Sequence, residues 1–168
     1  MPRDAAPKTN AQRLLEARGV PHEALTYDPS LHSAVEVAAA LGVPAERVYK
    51  TLVVLPETPA ARPLLVMLAG PHELDLRLLA RETGYKAVRM APRRAAEQLT
   101  GLQVGGIGAL ALTHQRFAVY LDRTALAHDW ILVNGGRRGL QLRLAVTDLV
   151  RLTGARVIAA TAEAAASG

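Results

Sequence analysis

Apolar positions along the chain switch between helical and strand spacing, and glycine or proline stands at most of the switches. Thr9-Asn10-Ala11-Gln12 has the form of a capping box, and Leu14, Leu15 and Ala17 before Gly19 predict a short amphipathic helix. His22 to Tyr27 alternates weakly as a first strand, closed by the turn signal Asp28-Pro29-Ser30. Ser33-Ala34-Val35-Glu36 is a second capping box, opening a helix that Gly42 stops. Val48 to Leu55 is valine-rich and apolar apart from Lys50 and Thr51, which predicts a strand covered on both faces. Leu64 to Ala69 is its natural antiparallel partner across the proline-rich stretch 56–63. Asp75 caps a helix that Gly84 ends, Lys86 to Met90 is a short strand, and Pro92 opens a helix running toward Gly101. Leu102 to Leu112 breaks the rhythm with Gly105, Gly106 and Gly108. Strands then follow at 117–121, 130–134, 140–144 and 156–160, with a short helix capped by Thr147 or Asp148 before the last.

Several of these strands are joined by hairpins rather than helical crossovers, so the expected class is α+β, a single domain with a mixed or mainly antiparallel, curled sheet and flanking helices. With 168 residues, half of them hydrophobic, the chain is long enough for one full core. The expected organisation is a flexible leader over 1–8, one domain over 9–160 and a frayed tail over 161–168.

Composition narrows the function classes. No apolar run is long enough to cross a bilayer and Met1 to Asn10 is polar, so a soluble cytoplasmic protein with no membrane partner is expected. Cysteine is absent, which excludes disulfides, thiolate metal sites and a cysteine nucleophile. The histidines His22, His32, His72, His114 and His128 lack metal-ligand spacing, so neither a metal nor another cofactor is expected. The serines Ser30, Ser33 and Ser167 form no nucleophile elbow. An enzyme built from these residues would position and polarise rather than form a covalent intermediate. A net charge of +5 tilts the partners toward anions such as RNA. Aromatic residues are only 4%, so contacts to RNA would lean on phosphates and backbone amides.

Against that background Lys50 stands out. The basic residues are 17 Arg and only three Lys, at 8, 50 and 86. A lysine retained in a buried strand either packs its stem and snorkels its head to water, the reading that pattern alone favours, or points a compact charge at an anion. Val104-Gly105-Gly106-Ile107-Gly108-Ala109 offers backbone N–H groups to a phosphate or an oxyanion, but a glycine bulge at a sheet corner has the same pattern. Asn134-Gly135-Gly136-Arg137-Arg138-Gly139 fits a phosphate grip and a solvated hairpin turn equally well.

Taken together these segments resemble the YbaK family of free-standing aminoacyl-tRNA editing proteins, related to the editing domain of bacterial prolyl-tRNA synthetases. The resemblance spans roughly Thr9 to Ala159. It is carried by Tyr27 before His32-Ser33-Ala34-Val35-Glu36, by Arg47-Val48-Tyr49-Lys50-Thr51-Leu52, by Leu99-Thr100-Gly101 leading into Val104-Gly105-Gly106-Ile107, and by Gly135-Gly136-Arg137-Arg138-Gly139-Leu140. It implies an α+β fold with a partly barrel-like sheet, and hydrolysis of the ester of mischarged tRNA, commonly Cys- or Ala-tRNA(Pro). Lys50 matches the family's signature lysine. With it, Gly105 and Gly106 would be the catalytic backbone, and Tyr27, Leu31, His32, Thr51, Ile107, Gly108, Gly135, Gly136, Arg137 and Arg138 would bind substrate. The implied partners are the aminoacylated end of tRNA and prolyl-tRNA synthetase. Two departures stand out. Gly108-Ala109 replaces the family's usual Ser-Pro, which predicts a looser loop, and Gln141 replaces a position that is often acidic. The alternative function is a binding module for tRNA or a nucleotide-like ligand that retains the fold without turnover.

Overall fold

The computed structural model describes residues 6–167. Its helices begin where the sequence supplies caps. Thr9 and Gln12 form a reciprocal capping box at the start of α1 (Asn10–Ala17). The Ser33 hydroxyl accepts the Glu36 N–H to open α2 (Ala34–Leu41), and Asp75 caps α3 (Leu76–Thr83) in the same way. Pro92 precedes α4 (Arg93–Thr100). The next helix, α5 (Val146–Thr153), starts before the expected Thr147 or Asp148 and has no side-chain cap. Where a frayed tail is expected, α6 (Ala162–Ala166) forms behind a fully buried Thr161.

The strands are β1 (His22–Thr26), β2 (Val48–Pro56), β3 (Leu64–Ala69), β4 (Val88–Met90), β5 (Ala118–Asp122), β6 (Trp130–Asn134), β7 (Leu140–Ala145) and β8 (Arg156–Ile158). They form one mixed sheet in the order β1-β7-β6-β2-β3-β5-β8, with β4 branching from β2. Antiparallel pairs join β1 to β7, β7 to β6, and β2 to both β3 and β4. Parallel pairs join β2 to β6, β3 to β5 and β5 to β8.

Helices cover both faces. One face carries Tyr49, Val53, Met67, Ile131, Val133 and Leu142 into the main core, against α1, α4, α5 and a buried 3-10 turn, Ala109–Leu112. On the other face Val48 and Leu132 pack under α2, while Val54, Leu64, Val66 and Leu68 pack under α3. Lys50 belongs to this second face, between the two clusters, because strand side chains alternate. Among the described residues no helix is long and apolar enough to cross a membrane.

Candidate active site

Strand β2 is shared by three neighbours, and the way they share it opens the site. β3 pairs along one edge from Tyr49 to Val54. The other edge is divided: β6 pairs at Val48 and Tyr49, and β4 pairs from Val54 to Pro56. Between them the edge at Lys50–Val53 borders a gap, closed at its far end where the Ala91 N–H donates to the Val53 carbonyl at 3.0 Å. A cavity of about 520 Å³ fills this split. Tyr27, Leu31 and His32 line one side, Met90, Ala91, Arg93 and Ala96 another, and Val104, Gly105 and Ile107 a third.

Lys50 enters the cavity from the strand. Its Nζ donates to the carbonyls of Gly70 at 2.9 Å and His72 at 2.7 Å, in the turn that follows β3. Two of its three N–H groups are therefore fixed, and one remains for a ligand. Burial pulls the Lys50 pKa below the ordinary lysine value, and the Glu73 carboxylate opposes that shift. Gly70 has to be glycine because a Cβ there would lie 2.3 Å from the Cβ of Ala34, the first residue of α2. That close approach brings the start of α2, with Ser33 and Ala34, to the cavity wall.

The two glycine segments face each other. Asn134, at the end of β6, donates through Nδ2 to the carbonyls of Gly105 at 2.8 Å and Arg137 at 3.3 Å, and its Oδ1 accepts the Gly136 N–H at 2.7 Å. Arg138 Nε donates to the Val104 carbonyl at 2.8 Å, and the Arg137 guanidinium to the Pro7 carbonyl. Gly106 packs on the Arg137 backbone, where a Cβ would meet atoms at 2.9 Å. The second loop thus braces the first.

Of the residues expected at the site, the structure brings Tyr27, Leu31, His32, Lys50, Thr51, Gly105 and Ile107 to the cavity. Gly106, Gly108, Gly135, Gly136, Arg137 and Arg138 stand behind it. The Gly106 N–H is already given to the Gln103 carbonyl at 2.7 Å, while its neighbours Gly105 and Ile107 line the cavity. Nor is the loop loose at the Gly108-Ala109 substitution. Ile107 to Leu112 is buried, and the Gly108 backbone lies so near the Asn134 carbonyl that a Cβ would sit 2.3 Å from it.

Reading the sequence missed Asn134 and the inward role of Gln141. Asn134 reads as a turn residue before Gly-Gly. Gln141, however, alternates with Leu140, Leu142 and Leu144, which is enough to place it on the opposite face from them. It is paired with Asn134 across β6 and β7, on the same face as Lys50. The Gln141 amide is 5% exposed, lines the cavity, and its Oε1 has no partner among the described residues. Thr51 also lines the cavity, and its buried hydroxyl is likewise unpartnered among the described residues. Among the described residues no group of three or more His, Cys, Asp or Glu could hold a metal ion.

Residues 28–152 match the family model for the aminoacyl-tRNA editing domain. The chain is 35% identical over 148 residues to EbsC of Enterococcus faecalis, named as a candidate Cys-tRNA(Pro)/Cys-tRNA(Cys) deacylase, covering 87% of this chain and 88% of that protein. It is 39% identical over 85 residues to the proline–tRNA ligase of Syntrophotalea carbinolica, covering 51% of this chain but only 14% of the ligase. A solved structure described as a candidate trans-editing enzyme for prolyl-tRNA synthetase superposes with a TM-score of 0.79 at 27% identity, covering 93% of this chain and 99% of that one.

Proposed function

Because the chain belongs to the aminoacyl-tRNA editing domain family, we propose that its cavity hydrolyses the ester of Cys-tRNA(Pro) or Ala-tRNA(Pro), acting free of the synthetase that made the error. The activity is that of an aminoacyl-tRNA deacylase. The observation that carries this reading is Lys50, a cation held by two backbone carbonyls at the wall of a cavity bordered by the Gly105 loop.

In this reading the ammonium of Lys50 acts as a fixed charge, anchoring the terminal phosphate or polarising the ester. Its depressed pKa does not make it the base, since two acceptor carbonyls hold it in the protonated form. A water attacks the ester carbon, the ribose oxygen leaves as a hydroxyl with a proton taken from that water, and the amino acid is released as its free carboxylate. The amides of Gly105 and Ile107 supply the donors toward which the carbonyl oxygen gains charge. Tyr27, Leu31 and His32 line the side where the terminal adenosine lies, and Thr51 borders the aminoacyl group. Gly106, Gly108, Gly135, Gly136, Arg137 and Arg138 support the loop from behind. The partners are the charged 3′ end of tRNA and, for selection of proline tRNA, prolyl-tRNA synthetase.

Single-turnover deacylation of Cys-, Ala- and Pro-tRNA(Pro) tests the reading. The wild type is expected to cleave the mischarged species selectively, and Lys50→Ala to lose about a hundredfold in rate. Wild-type rates equal to those without protein, with tRNA still bound, would overturn the deacylase and leave the binding module.

A further inference from the structure

The backbone of His72 helps to hold Lys50, but its side chain has no evident task. The turn after β3 is fixed by the Gly70 N–H on the Val48 carbonyl at 2.8 Å and by the His72 N–H on the Ala69 carbonyl at 3.0 Å. The Gly70 and His72 carbonyls take the two Lys50 hydrogen bonds. The His72 imidazole is 16% exposed, and its Nδ1 is wholly buried with no hydrogen-bond partner among the described residues. A buried ring nitrogen left unpaired is destabilising, and with no surface open to solvent its partner has to come from the protein. A Glu163 carboxylate oxygen lies 3.9 Å from it, on α6. The C-terminal segment meets this corner in other ways too. The Asp75 N–H donates to the Ala160 carbonyl at 2.8 Å, and Leu78 of α3 clusters with Ala159 and Ala164. Arg123 donates to the Ala164 carbonyl at 2.7 Å. The helix is therefore seated, and the Glu163 side chain, 48% exposed, is left to adjust. Reaching hydrogen-bond length takes about 1 Å, which rotation about its own bonds supplies.

We propose that His72 is a positioning residue for Lys50: its Nδ1–H donates to the Glu163 carboxylate, and that bond locks the turn whose carbonyls hold the Lys50 ammonium. An N–H at Nδ1 is available in one neutral tautomer as well as in the imidazolium, so the pair needs no proton from solution. Through it α6, which lies outside residues 28–152 that match the editing-domain family, reaches the cavity without touching a ligand. The consequence for rate rests on the deacylase reading.

The test reads Lys50 directly. The chain has three lysines, at 8, 50 and 86, so carbon-13 at the lysine ε-carbon gives three NMR signals, and Lys50→Met assigns the one from the cavity. In the wild type that signal is expected to stand apart from those of Lys8 and Lys86, which are exposed. His72→Leu and Glu163→Ala move it toward them. His72→Asn, whose amide nitrogen takes the place of Nδ1, leaves it where it is. Single-turnover deacylation at saturating protein follows the same order, about tenfold slower for the first two, the effect of one hydrogen bond, and near the wild type for the third. The half-saturating protein concentration stays the same, because the ligand contacts are intact. Thermal melts check folding, and Glu163→Ala, which trims a half-exposed side chain, carries the test if His72→Leu does not fold. A Lys50 signal unmoved by Glu163→Ala would overturn the proposal, as would His72→Asn behaving like His72→Leu, or a moved signal with deacylation as fast as the wild type's. Signals that move as expected in a protein whose wild type cleaves no charged tRNA would overturn the deacylase reading alone.

Discussion

Strand β2 passes between two buried polar regions that differ in one respect. On one face, Asp122, fully buried, accepts from the Thr124 hydroxyl at 2.7 Å, the Thr161 hydroxyl at 3.0 Å and the Ala160 N–H at 2.8 Å. The Tyr49 hydroxyl lies 2.8 Å from the Thr124 oxygen, and burial pushes its pKa up to about 12. These groups satisfy one another. One residue further along, on the opposite face, Lys50 keeps an N–H in reserve and the Gln141 side-chain oxygen has no partner among the described residues. Depth in the protein does not separate the two regions, since both hold fully buried polar atoms. What separates them is whether the protein itself completes the hydrogen bonding. The completed region fixes β2 in place, and the incomplete one is where the proposed substrate would bind.

The largest expected stability effect lies in the completed region. Asp122→Ala leaves two hydroxyls and an amide without their acceptor and should cost about 3 kcal/mol, lowering Tm by about 6–12 °C. Scanning calorimetry with deacylation assays below the transition checks this. A variant that is fully folded yet slow would break the comparison by giving Asp122 a part in the chemistry. A smaller loss is expected at the boundary. Gly108→Ser drives a Cβ against the Asn134 carbonyl and should cost about 1–3 kcal/mol. It should also slow single turnover, because Asn134 holds Gly105 at the cavity. An unchanged rate with an unchanged melt would mean that the brace is dispensable.

The smallest effect is in pH. Because the folded Lys50 pKa lies below its ordinary value, the unfolded chain holds the proton more tightly between the folded pKa and about 10.5. Across that window this residue's contribution to stability rises with pH. On the proposed reading the ammonium is required, so the catalysed rate falls over the same window. Denaturant melts and single-turnover rates taken together should therefore trend in opposite directions, and Lys50→Met should flatten both trends. Parallel trends would show that Lys50 is not the titrating group.

Local features were the legible ones. Thr9, Ser33 and Asp75 cap as their spacing predicts, and Leu64 to Ala69 pairs antiparallel with the Lys50 strand. What the chain conceals is which strand edges remain free. The split between β6 and β4 on β2 joins residues 84 apart in sequence to a three-residue strand, and no local period encodes it. The same holds for Arg137 and Arg138. Paired arginines between glycines fit a phosphate grip and a solvated turn equally, yet here they meet backbone carbonyls that only the folded chain brings near. Lys50 was the exception, conspicuous because burying a charge needs a reason.

The Asp122 cluster also bears on the order in which the molecule can be assembled. Its ligands are drawn from positions 122, 124, 160 and 161, and it meets β2 at position 49. During synthesis the Lys50 strand leaves the ribosome more than a hundred residues before Thr161. Until Thr161 follows, the strand lacks the anchor beneath it, so a chain stalled earlier carries Lys50 on an unsecured scaffold. The cavity wall that Lys50 enters is therefore secured only once Thr161 has been made.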